Sequence, residues 1–323
     1  MSVSELNMRK TLVGLAVITL VLTCRPSRAQ NRVTPVQGVE FAAAANLSQK
    51  DVKIEGRMFL PQSVERARAL IVAIDWGIGA AFYADPQIRG FVEATKCAMV
   101  LARISEIRSG SLARVVNDAA LGGADAMVIL LQGLAKESGH PELIEAPLIF
   151  WGQSAAGPFG SSFATIYPER TLAFIRYHSG PVLGGDLNVV KEIPALFFVG
   201  GKDTAVDAAG VPGVDGAKNV WTRGRSVDAP WTFAIEPEAT HGEVKDLEKA
   251  HTLTIPWMTA IIEQRVVAGR TLRAIPQDSG WVGNNRTGEV DTASALSGSK
   301  TETSWLPDES SARGWRTVTG TAK

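Results

Sequence analysis

A serine stands where an apolar run meets a stretch of small residues. Residues 147–151 (PLIFW) form a short apolar run that is typical of a buried parallel strand. Ser154 follows within the segment 152–156 (GQSAA). A nucleophile held on a strand-to-helix turn needs small neighbours two residues away on each side, because larger side chains would collide with the strand and the helix. Gly152 and Ala156 meet this requirement. The pattern therefore indicates a serine nucleophile, and a serine that merely caps a helix is the alternative.

This segment resembles the nucleophile elbow, G-x-S-x-G, of the α/β-hydrolase superfamily. The elbow residues around Ser154 would be Gly152, Gln153 and Ala156, with Ala156 where the second glycine usually stands. The resemblance spans roughly residues 70–267. It implies an α/β fold with a mostly parallel central sheet, helices on both faces and no large lid domain. It also implies that an acid and then a histidine follow the serine along the chain.

The choice of histidine follows from this order. A serine hydroxyl needs a histidine to accept its proton and a carboxylate to orient that histidine. Of the four histidines, His140 precedes the serine and His251 falls within the predicted last helix. His241 lies between the last predicted strand and that helix, where the resemblance places the base. His178 follows another predicted strand and is a candidate pocket residue.

Two aspartates are candidates for the acid. Asp203 follows a buried strand and a glycine turn in the segment 199–203 (VGGKD), which resembles the acid loop of the superfamily. Asp207 lies one short loop further and is the reserve candidate. Aspartate is also common in turns for structural reasons. The prediction of a catalytic triad therefore depends on the three residue types occurring in this order, each at the end of its own predicted strand.

The reaction also requires N–H groups that bind the developing oxyanion. The resemblance assigns one to Ala155, directly after the serine, and a second to the loop after the first buried strand, at Trp76 or Gly77. That loop has Asp75-Trp76-Gly77 and lacks the usual His-Gly pair of the superfamily.

Apolar runs and helical patterns alternate around these residues. Buried strands are predicted at 70–74, 97–103, 172–177, 195–199 and 231–235, with an antiparallel edge strand at 51–60. Helices are predicted at 87–95, at 111–137 with a break at 122–123, at 217–225 and at 244–267. Residues 30–50 are expected to run over the surface as a leader. Alternation of this kind predicts a mostly parallel sheet with helices on both faces.

Composition and segment boundaries complete the expected organisation. The chain is 45% hydrophobic and 20% charged, as in ordinary globular proteins, and its 33 basic and 33 acidic residues indicate no nucleic-acid partner. Residues 1–29 have the basic, apolar and small-residue regions of a secretory signal peptide, which predicts a secreted or periplasmic protein without stable membrane insertion after cleavage. Residues 30–269 would form the catalytic domain and residues 270–323 a C-terminal extension.

The extension contains several tryptophans, among them Trp281, Trp305 and Trp315. We expect it to fold back on the domain, because exposed tryptophans lower solubility. An aromatic platform for a carbohydrate or polymer is the alternative.

The resulting prediction is a secreted carboxylic ester hydrolase that forms an acyl-enzyme with Ser154, His241 and Asp203. It needs no metal and no organic cofactor, and its substrate is a small-molecule or polymer-linked ester. It is similar to single-domain secreted esterases of the feruloyl esterase, acetyl xylan esterase and polyester depolymerase type. The alternatives are a peptidase or amidase with the same triad, and a non-catalytic binding protein on this scaffold. The acyl group, the alcohol and the oligomeric state stay open.

Overall fold

The computed structural model of the protein describes residues 35–106, 116–207, 210–267, 272–276, 278–295 and 298–321. The predicted signal peptide at residues 1–29 lies outside the described residues, as does the start of the helix predicted at 111–137. Within the described ranges, none of the helices combines the length and the apolar character needed to cross a bilayer.

The described residues are organised around an eight-stranded sheet. Its strands, in chain order, are β1 (Gly38–Leu47), β2 (Val52–Pro61), β3 (Leu70–Ile74), β4 (Ala98–Glu106), β5 (Leu148–Gln153), β6 (Thr171–Tyr177), β7 (Ala195–Gly200) and β8 (Trp231–Glu236). Their spatial order is β1-β2-β4-β3-β5-β6-β7-β8. The strands from β4 to β8 are parallel, whereas β2 runs antiparallel to both of its neighbours. The predicted mostly parallel sheet is confirmed.

Helices cover both faces of this sheet. They are α1 (Gly79–Ala84), α2 (Pro86–Ala94), α3 (Gly123–Ser138), α4 (Gly157–Ile166), α5 (Gly213–Ser226) and α6 (Leu247–Arg265). Apolar side chains of α3, α4 and α5 join one core cluster, and those of α1, α2 and α6 join the other. Every residue of β3, β5, β6 and β7 is buried, as expected for strands covered on both sides. Their continuous apolar runs are explained by this burial.

The N-terminal part of the sheet differs from the prediction. Residues 38–47, expected to belong to a surface leader, form β1, which pairs with β2 along its whole length. The predicted edge strand at 51–60 is therefore the second strand of the sheet. The edge position predicted for residues 51–60 was wrong because β1 was not predicted. The run of four alanines at 42–45 has no alternation of large apolar and polar residues that would indicate a strand.

The predicted helix break at Gly122 is confirmed. Gly122 has a φ of 107°, ends a short 3-10 turn at Ala119–Leu121 and directly precedes α3. A residue with a side chain would be strained in this left-handed conformation.

The C-terminal extension covers the β8 edge of the large sheet. It contains β9 (Trp281–Asn284), β10 (Val290–Thr292), β11 (Thr303–Leu306) and α7 (Glu309–Thr319), and the three strands form a small antiparallel sheet. The hydroxyl of Ser304 accepts a hydrogen bond from Phe233 N at 2.8 Å and lies 2.9 Å from the carbonyl oxygen of the same residue. Trp305 and Trp315 are buried. These two side chains therefore supply packing area and do not form an exposed platform.

Candidate active site

Ser154 occupies a strained turn between β5 and α4. Its φ is +54°, in the left-handed region that non-glycine residues seldom adopt. A Cβ atom on Gly152 would lie 2.2 Å from the carbonyl oxygen of Ala156, and one on Gly157 would lie 2.3 Å from Ser179 Oγ. The tight approach on the helix side therefore falls at Gly157, and the buried Ala156 is accommodated where the motif usually has glycine. Such strain costs about 1–3 kcal/mol and is characteristic of functional sites.

The structure brings together the three residues predicted as nucleophile, base and acid. His241 Nε2 lies 2.8 Å from Ser154 Oγ. His241 Nδ1 lies 2.9 Å from Oδ2 and 3.1 Å from Oδ1 of Asp203. The Asp203 side chain is only 3% exposed, whereas that of His241 is 44% exposed. A buried carboxylate thus holds one ring nitrogen while the other nitrogen faces the serine.

These side chains meet because three parallel strands end at the same edge of the sheet. Ser154 directly follows β5, Asp203 follows β7 and His241 follows β8. The end of β7 touches the histidine loop closely: a Cβ atom on Gly200, its last residue, would lie 2.1 Å from the carbonyl oxygen of Thr240. The glycine signal that marked the acid loop in the sequence therefore has a steric cause.

The alternative residues lie elsewhere or make other contacts. Asp207 lines the pocket beside Ser154, and its Oδ1 accepts a hydrogen bond from Val211 N. His140 pairs with Glu142 before β5 begins. His251 is buried in α6 with its Nε2 3.2 Å from Asp85 Oδ2. Of the two candidate acids, Asp203 is the one that contacts the ring nitrogen of His241 remote from the serine.

His178 is the second histidine at this edge. It follows β6 with a φ of +47°, it is buried, and its Nδ1 lies 3.8 Å from Asp203 Oδ2. Burial lowers its pKa to about 4. The nearby charge of Asp203 raises the pKa and offsets only part of this effect. The ring is therefore neutral near pH 7 and forms part of the pocket wall, where the sequence predicted a candidate pocket residue.

The predicted oxyanion donors differ in their position relative to the pocket. Ala155 lines the pocket next to Ser154. In the loop after β3, Trp76 N already donates to the carbonyl oxygen of Ile74 at 2.8 Å. Gly77 has a φ of +56°, and its N–H donates to no group in the part of the chain that the structure describes. Neither Trp76 nor Gly77 is among the described residues that line the pocket.

A pocket of about 540 Å³ opens beside Ser154. This volume suits a small organic group. The remaining lining residues are mostly small or apolar: Asn117, Ala155, His178, Gly180, Pro181, Val182, Ala205, Val206, Asp207 and Gly213, together with His241. Among the described residues, no cluster of three or more metal-ligating side chains occurs.

Gln153 makes contacts that the sequence did not predict. Its Oε1 accepts a hydrogen bond from Ile78 N at 2.8 Å, and its Nε2 donates to the carbonyl oxygens of His241 at 2.6 Å and Gly242 at 3.2 Å. The partners are backbone groups 75 to 89 residues away, so no local pattern could have indicated them.

Comparisons with known proteins agree with this architecture. By sequence, no protein-family model and no curated protein matches the chain. By structure, an acylaminoacyl peptidase of Pyrococcus horikoshii aligns with a TM-score of 0.50 and 13% identity, over 73% of this chain and 43% of that one. A ferulic acid esterase aligns with a TM-score of 0.47 and 11% identity, over 70% of this chain and 99% of that one. At such identities the similarity concerns the fold alone.

The structural similarity to the acylaminoacyl peptidase and the strand order of the sheet identify the fold. The chain has the α/β-hydrolase fold, as the sequence resemblance predicted.

Proposed function

We propose that this protein is a serine hydrolase that cleaves carboxylic esters through an acyl-enzyme intermediate. The observation that carries the proposal is the chain of contacts from Asp203 through His241 to Ser154, with both ring nitrogens of the histidine engaged. The choice of an ester over an amide follows from the sequence resemblance to single-domain secreted esterases. Residues 1–29 support a secreted or periplasmic location.

In the acylation step, Ser154 Oγ attacks the ester carbon while His241 Nε2 takes the hydroxyl proton. The buried carboxylate of Asp203 stabilises the imidazolium that forms, and it keeps the Nδ1 proton directed towards itself. The imidazolium then gives its proton to the departing alcohol, and the acyl group stays on Ser154. Water, activated by the same ring nitrogen, releases the acid and restores the serine.

Negative charge develops on the carbonyl oxygen of the substrate at each step. The N–H of Ala155 is the first donor in this proposal, because it adjoins the nucleophile and the pocket. Gly77 is favoured over Trp76 as the second donor, because Trp76 N already donates a hydrogen bond to the carbonyl oxygen of Ile74. Losing one donor of this type typically costs about 100- to 1,000-fold in rate.

The first test is labelling of the purified protein with a fluorophosphonate probe, followed by mapping of the modified residue by mass spectrometry. We expect labelling at Ser154. Ser154→Ala should abolish both labelling and turnover, a loss of at least about 10⁴-fold, while the far-UV circular dichroism stays unchanged. Ser63→Ala, at an exposed serine, is the matched control and should keep full activity.

Matched p-nitrophenyl ester and p-nitroanilide substrates separate the reaction classes. Faster turnover of the ester supports the proposal, and a preference for the anilide would identify a peptidase or amidase. A folded protein without labelling at any serine would identify a binding protein on a hydrolase scaffold.

A further inference from the structure

Gln153 joins the two loops that complete the candidate site. It is the last residue of β5, directly precedes Ser154 and is only 4% exposed. Its amide oxygen binds Ile78 N in the loop of the candidate oxyanion donor Gly77. Its amide nitrogen binds the carbonyl oxygens of His241 and Gly242. One side chain, adjacent to the nucleophile, therefore contacts the oxyanion loop and the histidine loop together.

Two glycines in left-handed conformations make room for this amide. A Cβ atom on Gly77, with φ +56°, would lie 1.8 Å from Oε1 of Gln153. A Cβ atom on Gly242, with φ +86°, would lie 2.9 Å from Nε2. Both loops therefore approach the amide so closely that a side chain at either position would displace the Gln153 amide, besides being strained at a positive φ. Because Nε2 has two acceptors for its two protons, the donor capacity of the amide is fully used.

We propose that Gln153 is a positioning residue for the reaction, and this inference rests on the proposed function. By holding the carbonyl oxygen of His241, it fixes the backbone from which the imidazole reaches Ser154. By holding Ile78 N, it fixes the peptide next to Gly77 N–H. A misplacement of catalytic groups by about 1 Å can cost about 100-fold in rate, so loss of this amide should reduce turnover.

The test compares two substitutions at this site with a matched control. Gln153→Met keeps the approximate length of the side chain and removes its donor and acceptor. Gln153→Glu keeps an acceptor for Ile78 N, but it can donate to His241 only while its carboxyl group is protonated. Gln264→Met is the control, because Gln264 also donates from a part-buried amide to a backbone carbonyl, that of Pro307. It belongs to α6 and to no part of the candidate site.

For Gln153→Met we expect kcat to fall by about 100-fold, with KM changed by less than about threefold and folding retained. For Gln153→Glu we expect turnover at low pH, where the introduced carboxyl group is protonated. Turnover should fall as the pH rises, because the ionised carboxylate would face two carbonyl oxygens. The wild-type chain should lack this alkaline limb. Gln264→Met should keep the wild-type kcat. A Gln153→Met variant with wild-type kcat, or a Gln153→Glu profile of wild-type shape, would overturn the inference.

Hydrogen exchange separates this inference from the proposed function. Gln153→Met should increase amide exchange in the peptides around Ile78 and around Gly242, whereas Gln264→Met should leave both unchanged. Unchanged exchange in Gln153→Met would overturn the linkage between the loops, even if wild-type Ser154 is labelled. Faster exchange in a chain whose wild-type form shows no labelling would instead keep the linkage and overturn its role in catalysis together with the proposed function.

Discussion

Replacing Asp203 by asparagine tests which aspartate is the acid. Asp203 Oδ1 accepts a hydrogen bond from Ala205 N at 2.8 Å, so the amide oxygen of the asparagine is held in that place. The NH₂ group then takes the position of Oδ2, which lies 2.9 Å from His241 Nδ1. Facing a donor, Nδ1 must act as an acceptor, and the ring proton moves to Nε2. That nitrogen can no longer take the proton of Ser154.

The size of the expected loss in kcat follows from this change of tautomer. In a serine protease, the same substitution at the acid of the triad lowers kcat by about 10⁴-fold. This corresponds to about 5 kcal/mol of transition-state stabilisation. We expect a loss of about 10³- to 10⁴-fold here, because Asp203 is also buried and also contacts Nδ1 of the histidine.

The assay is steady-state hydrolysis of a short-chain p-nitrophenyl ester, with Asp207→Asn as the matched control. Asp207 Oδ1 accepts a hydrogen bond from Val211 N, which an amide oxygen can also accept. We therefore expect less than about a tenfold loss for the control. If Asp207→Asn is the more damaging change, or if Asp203→Asn keeps more than a tenth of the wild-type kcat, the assignment of the acid is refuted.

Three further predictions concern the scaffold around the site. Gly200→Ala would place a methyl group 2.1 Å from a carbonyl oxygen of the histidine loop, so we expect lower stability in urea unfolding and slower ester turnover. Gly90→Ala lies within α2, where the added methyl group would meet no atom within 4 Å beyond its chain neighbours and its own helix backbone, so it should keep the activity and not lower the stability. Burial lowers the pKa of His178 from 6.5 to about 4, so the unfolded chain binds more protons between these values and the free energy of unfolding should fall as pH drops through this window. His178→Asn should flatten that slope by up to about 1.4 kcal/mol per pH unit, and an equal slope in both proteins would contradict this. Ser304→Ala leaves Phe233 N without its acceptor and should cost about 1–3 kcal/mol in urea unfolding, with kcat unchanged at low temperature.

The sequence indicated the central strands and the candidate site residues because both carry local signals. Continuous apolar runs mark β3, β5 and β7, and glycine turns mark their carboxyl ends. The resemblance of the segment around Ser154 then supplied the order of acid and base. The catalytic roles of these residues stay predictions until the labelling and the substitutions are done.

Other features could not be predicted because they depend on distant groups. The alanines of β1 acquire strand geometry by pairing with β2, and their sequence has no pattern of its own. The amide of Gln153 is engaged by backbone groups of two loops that only the folded sheet brings together. The same holds for Ser304, whose hydroxyl satisfies Phe233 from 71 residues away.

The position of Ser304 along the chain has a consequence for biosynthesis. β8 is finished at Glu236, but the hydroxyl that covers its outer backbone belongs to a strand synthesised 71 residues after Phe233. At translation rates of about 5–20 residues per second, this edge stays uncovered for roughly 4–14 seconds. An uncovered strand edge is a template for pairing with another chain. Nascent chains and fragments that end before β11 are therefore the forms of this protein most prone to aggregate.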